Sequence, residues 1–217
     1  MLRGRSRLPL LAEISGPADG RAWALRRADF DSLREALPRL AEQRAVAIVG
    51  EGEAPAVAAI ALAAAASAGG RSTILVECDL AQPRLAGSVG LSASPGLHEY
   101  LRWEAEPRDV LQPVSLAGAA AGNGSAQLVC FAAGRPAAKT ETLLGLQSFA
   151  HMVAKLRGAY ELVLLLAPPL LSEPAACLAV AAQADAVIAG EVKGSDRAVG
   201  KAIRRLPVPA LGSIALG

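Results

Sequence analysis

The stretch Leu162-Val163-Leu164-Leu165-Leu166-Ala167-Pro168-Pro169 decides the architecture. Five successive apolar residues stopped by two prolines read as a strand with neither face in water. Such strands belong to parallel sheets covered by helices on both sides, because a half-solvated antiparallel strand alternates apolar with polar. Outward from it, similar short runs bounded by turn residues recur at 45–49, 73–76, 127–131, 161–166, 186–189 and 212–216. Between them lie helical patterns at 55–68, 140–156, 173–182 and 196–206. Alternating strand and helix predicts an α/β fold, a doubly wound and mostly parallel sheet. Residues 1–40 read as a Pro/Gly-punctuated lead and a leading amphipathic helix over 28–37, with Phe30, Leu33 and Leu37 at helix spacing. Residues 41–217 read as one globular α/β domain. The Ala/Gly-rich segment 117–125 reads as a flexible loop.

Composition agrees and removes several function classes. Hydrophobic residues make up 53% of the 217 but aromatics only 3%, so the core is built from small aliphatic side chains that let helices approach a sheet closely. A formal charge of +2 is too small for a nucleic-acid binder, and Arg3, Arg5 and Arg7 read as a solvated terminus. Cys78, Cys130 and Cys177 are far apart, show no metal-ligand spacing and read as buried small hydrophobes, which suits a reducing cytoplasm. The longest apolar run, 54–66, contains Pro55 and falls short of the roughly 18 residues that span a bilayer. The run 8–11 is too short for the core of a signal peptide. His98 and His151 have no Ser or Cys arrangement suggestive of a hydrolase.

A family resemblance lies in Glu77-Cys78-Asp79-Leu80-Ala81-Gln82-Pro83, then Val89-Gly90-Leu91, Pro95-Gly96-Leu97 and Tyr100-Leu101. It continues in Phe131-Ala132-Ala133-Gly134-Arg135-Pro136 and Leu156-Arg157-Gly158-Ala159-Tyr160-Glu161, and Leu8-Pro9-Leu10-Leu11-Ala12-Glu13-Ile14 precedes them all. In order and spacing these resemble the cytoplasmic P-loop kinase domain of the bacterial tyrosine kinases of capsule and exopolysaccharide export. That family reads L-P-x-L-G-x-I, D-A-D-L-R-R-P, F-G-L, G-L, L-P-A-G-x-x-P and L-R-x-x-Y-D. The resemblance implies a P-loop NTPase-like fold of the MinD and ParA type with a deviant Walker A loop.

The same resemblance shows what this chain lacks. Where the family's phosphate loop reads G-P-G-E-G-K-S-T, this sequence holds Gly50, Glu51, Gly52, Glu53, Ala54, Pro55, Ala56 and Val57. Pro55 stands at the lysine that meets the terminal phosphates, and Ala56 and Val57 stand at the hydroxyls that hold magnesium. Leu166 occupies the Walker B aspartate position, and a leucine offers magnesium no oxygen. Glu51 and Glu53 add opposition. At about 6 Å and an effective dielectric near 20, a carboxylate disfavours each unit of phosphate charge by roughly 3 kcal/mol. Acids near a helix N-terminus also complement its dipole, and that reading stands beside the repulsive one. Glu77 and Asp79 remain at the sheet's carboxyl end, where they would coordinate a cation or polar ligand, cap a helix or hold a basic residue. Of the family's E-x-x-R-x-x-R ring pattern, at Ala28, Asp31 and Arg34, only Arg34 is present, so a homo-oligomer rests on one residue of three. The family's C-terminal tyrosine cluster has no counterpart, since the chain holds only Tyr100 and Tyr160.

These features predict a non-catalytic cytoplasmic accessory protein of exopolysaccharide, capsule or holdfast-like polysaccharide export, with no cofactor and no metal. It would bind an inner-membrane co-polymerase or export protein and reach the inner face of that membrane through it. Two alternatives remain: a weak or atypical ATPase or tyrosine autokinase using ATP and magnesium, and a divergent positioning ATPase of the MinD and ParA kind.

Overall fold

Apolar runs without alternation can be buried only if both faces of each strand are covered, and the strands divide their side chains accordingly. A computed structural model describes residues 8–15, 26–115, 127–193 and 197–217. The predicted features at Arg3, Arg5 and Arg7, at 117–125 and at Asp196 lie outside the described residues. Eight strands form one sheet: β1 (Leu10–Ile14), β2 (Ala45–Gly50), β3 (Thr73–Glu77), β4 (Leu111–Ser115), β5 (Gln127–Phe131), β6 (Leu162–Leu166), β7 (Ala186–Val192) and β8 (Ala210–Leu216). Their order is β1-β8-β7-β2-β6-β3-β5-β4, and every pair is parallel except β4 with β5. The predicted α/β sheet is therefore present.

Val46, Ile48, Leu162, Leu164 and Leu166 point to one face, against α1 (Arg27–Ala36) and α2 (Ala54–Ala68). Ala45, Ala47, Val49, Val163 and Leu165 point to the other, against α7 (Gln147–Ala159), α8 (Pro174–Ala181) and α9 (Arg197–Ile203). Helix α2 is apolar all round and almost wholly buried, and its alanines let it lie across the middle of the sheet.

Three readings of the sequence need correction. The lead contains a strand, β1, which joins β8 in parallel, and Gly217 N–H donates to the Ile14 carbonyl at 3.0 Å. The edge strand β4 was missed because Gln112 and Pro113 interrupt its pattern; proline is tolerated there as it is at sheet edges. The predicted helix over 140–156 is two helices, α6 (Thr140–Leu144) and α7, because Gly145 closes the first and Leu146 is extended. Apolar spacing hides this break, since Leu144, Phe149 and Met152 all enter one core. The leading helix also tightens into a 3-10 turn at Leu37–Leu40, where Pro38 supplies no N–H.

Three small helices complete the fold, α3 (Leu85–Val89), α4 (Leu97–Leu101) and α5 (Pro107–Val110). No helix among the described residues is long and apolar enough to cross a membrane.

Candidate functional site

In an open parallel sheet the ligand crevice forms outside the strands' carboxyl ends, here where β2, β3 and β6 lie side by side. After β2 the chain turns at Gly50, Glu51, Gly52 and Glu53 and enters α2 through Ala54, Pro55, Ala56 and Val57. Gly52 takes a left-handed backbone (φ 68°), and Val57 N–H is already spent on the Glu53 carbonyl at 3.1 Å. Pro55 is buried in the first turn of α2 and carries no N–H. A Cβ on Gly190 of β7 would lie 2.5 Å from Pro55 Cα, and one on Gly50 would lie 2.4 Å from the Gly190 carbonyl oxygen. The start of α2 is thus seated directly on the β2–β7 pair.

The acids of the crevice hold the protein's own donors. Glu77 is fully buried; its Oε1 accepts N–H bonds from Arg84 at 2.5 Å and Leu85 at 2.7 Å, and its Oε2 accepts one from Ala133 at 3.1 Å. It fastens the start of α3 and the segment after β5 to the end of β3. Burial raises its pKa, and the three N–H bonds offset part of that rise. Asp79 accepts the Gln82 N–H at 3.0 Å; burial raises its pKa, with Gln82 and the Arg84 guanidinium acting in the opposite direction. Glu51 accepts from the Leu171 N–H and, at 3.3 Å, from the Ser172 hydroxyl, so the turn after β2 is tied to the segment after β6. Glu53 is exposed and lies 3.4 Å from the Arg84 guanidinium, a pair worth little in water.

Leu166, at the end of β6, is buried, and its carbonyl accepts the Cys78 N–H at 2.9 Å. Between Gly52, Pro55, Asp79, Arg84 and Leu166 the remaining cavity has a volume of about 20 Å³. That is room for about one water molecule. The structure therefore brings the turn, both acids and Leu166 together around one small cavity. It adds Arg84 and Gln82, which sequence reasoning missed; their one signal was their place beside Pro83 in the acidic motif. Among the described residues no group of three or more His, Cys, Asp or Glu could hold a metal ion.

Two other motif segments meet beside this crevice. Leu97 N–H and His98 N–H donate to the carbonyls of Ala132 and Ala133, both at 2.8 Å. A Cβ on Gly96 would lie 2.3 Å from the Gly134 nitrogen, so this approach needs glycine. Glu99 locks the junction: it accepts from the Gly96 N–H at 2.8 Å and from the Arg135 Nε at 2.7 Å. Burial opposes its ionisation, but Arg135 and the surrounding N–H groups together hold its pKa at about 2, against an ordinary 4.5. A depressed carboxyl pKa stabilises the fold above the unfolded value, and that contribution fades as pH falls from about 4.5 toward 2. Urea melts at stepped pH are expected to show this acid limb in the native chain and a shallower one in Glu99→Gln.

No family model matches the sequence, and no curated protein matches it. Solved structures do. The class they define is the P-loop NTPase-like α/β fold. The chimerical protein CapA2B2 superposes with a TM-score of 0.82 at 16% identity, over 96% of this chain and 94% of that one. The kinase domain of the Escherichia coli tyrosine kinase ETK superposes with a TM-score of 0.81 at 18% identity, over 97% and 90%. The septum site-determining protein MinD of Pyrococcus horikoshii, complexed with Mg-ADP, reaches 0.60 at 18%, over 79% and 69%. At such identities the likeness establishes the fold alone.

Proposed function

We propose that this chain is a non-catalytic relative of the export tyrosine kinases that works by binding. In this reading it is a cytoplasmic accessory protein of exopolysaccharide, capsule or holdfast-like polysaccharide export that docks on an inner-membrane co-polymerase or export protein. One observation carries the loss of catalysis: the crevice is lined by Pro55 and Leu166 at the positions where the resemblance implies a cation and a magnesium ligand. Phosphoryl transfer depends almost wholly on positioning and charge stabilisation, and these side chains supply neither. The Glu51 carboxylate of the turn is itself engaged by the Leu171 N–H and the Ser172 hydroxyl. A folded domain of this kind still regulates a partner if it binds one of the partner's states more tightly than another. The export setting is supported by the motif resemblance and by the fold shared with a tyrosine kinase domain over 97% of the chain.

Titration calorimetry with ATP and magnesium is expected to give no binding heat up to about 1 mM, a limit equivalent to roughly 4 kcal/mol of affinity. Pro55→Lys alone is expected to leave that result unchanged, because Ala56, Val57 and Leu166 still offer no magnesium ligand. Micromolar ATP binding by the native chain would instead promote the atypical ATPase or autokinase reading. Co-purification from the native cell with an inner-membrane export protein tests the partner. Co-purification with division or segregation proteins would favour the MinD and ParA reading.

A further inference from the structure

Outside the crevice and sharing no residue with its lining, the turn after α4 and the outer face of α7 border a groove of about 660 Å³, lined by Tyr100, Trp103, Gln147, His151, Met152 and Lys155. We propose that this groove is a docking surface for an acidic segment of a partner protein that also carries apolar side chains. The surface stands on its own geometry and does not depend on whether the crevice binds nucleotide.

Trp103 is the first reason. It is 86% exposed and sits in the left-handed backbone region at φ 64°. A bulky aromatic there is an outlier, in a conformation usually left to glycine. The turn is fixed on both sides, by Trp103 N–H to the Tyr100 carbonyl at 3.0 Å and by Glu104 N–H to the Glu99 carbonyl at 2.9 Å. The left-handed residue closes α4, while its side chain buries nothing and presents to solvent the type most enriched at binding hot spots. The wall behind it is rigid: Tyr100 packs edge-on against Phe131, with ring centroids 5.7 Å apart and planes at 81°.

Charge selects the occupant. No carboxylate lines the groove, and its charged lining is Lys155. Helix α7 contains no acidic residue at all. The acids nearest in sequence are turned toward guanidinium groups: Glu99 holds Arg135, and Glu104 holds Arg102 at 2.6 Å and Arg135 at 2.7 Å. An acidic segment therefore meets Lys155 with no carboxylate in the lining to oppose it, and its apolar side chains cover Trp103 and Met152. One lysine is too few to track a nucleic-acid backbone, which separates this surface from that class.

The test is in-cell photocrosslinking of the full chain with p-benzoylphenylalanine replacing Trp103, followed by sequencing of the crosslinked peptide. The expected product is one protein, joined through a stretch of about ten residues with net negative charge. Its yield is expected to fall at least about fivefold with Lys155→Glu, and to return when the acids of that stretch are replaced by lysine. The proposal is overturned by crosslinks to a second copy of this chain, to nucleic acid or to a stretch without excess acid. It is equally overturned by a yield indifferent to Lys155→Glu, or by no product above that from the same reagent at exposed Arg39. An acidic partner unrelated to export would leave this surface standing and remove only the proposed cellular role.

Discussion

Glu77→Ala is expected to lower the stability of the chain by about 3 kcal/mol, a fall in Tm of roughly 6–12 °C for a protein of this size. The mutation strips partners from the buried N–H groups of Leu85 and Ala133 and from the part-buried N–H of Arg84. Each orphaned donor costs about 1–3 kcal/mol, and water entering the vacated space recovers part of that sum. Glu77→Gln is expected to fall between, since one oxygen remains for Arg84 and Leu85 while an amide donor faces the Ala133 N–H. Thermal melts of the three proteins decide the matter. An acid kept mainly to hold a cation behaves in the opposite way, because removing it relieves charge repulsion and raises Tm. A stable Glu77→Ala protein would therefore sink the capping role and revive a ligand role for this carboxylate.

Gly190→Ala should be comparably damaging, with an expected loss of about 3 kcal/mol. The added methyl would stand 2.5 Å from Pro55 Cα, 2.8 Å from Pro55 N and 3.0 Å from the Ala54 carbonyl oxygen, all backbone atoms that no rotamer change can move. The whole start of α2 must shift off the sheet, and α2 is the helix that spans the sheet's centre. Gly158→Ala is the matched control: it lies in α7 with nothing within 4 Å of the new methyl, and is expected to be neutral or stabilising by up to about 1 kcal/mol. Denaturant melts should separate the two variants clearly. Equal stabilities would mean that α2 does not rest on β7 as described.

Much of the fold was legible because its physics is local. The run Leu162–Leu166 announced a doubly covered strand, and all five of its residues are buried. What the pattern hid was irregular. Strand β1 is half exposed and short, β4 carries a proline, and the break at Gly145 lies between two helices that share one core. In the crevice, the sequence located the turn, Glu77, Asp79 and Leu166, but could not show what the acids hold. Three backbone donors on Glu77 come from segments 7, 8 and 56 residues away, and no spacing rule reports them. Arg84 was missed for the same reason. Several motif segments that carried the family resemblance turn out to be fasteners distant from the crevice. Arg157 reaches Asp185, and Glu161 accepts the Ser72 N–H at 2.7 Å. Gly96 and Gly134, beside the crevice, serve the close approach of two loops.

The three cysteines have a practical consequence. Cys78, Cys130 and Cys177 are unpaired and buried, and desolvation pushes the latter two up to about 12. At neutral pH they are inert thiols, and an alkylating reagent can reach them only when the surrounding segment opens. Cys78 follows β3 beside the crevice, Cys130 lies within β5 and Cys177 is carried on α8. The labelling rate of each thus clocks the breathing of a different part of the molecule, with no probe introduced. Slower labelling of any one thiol when a binding partner is added would map which part of the molecule that partner quiets.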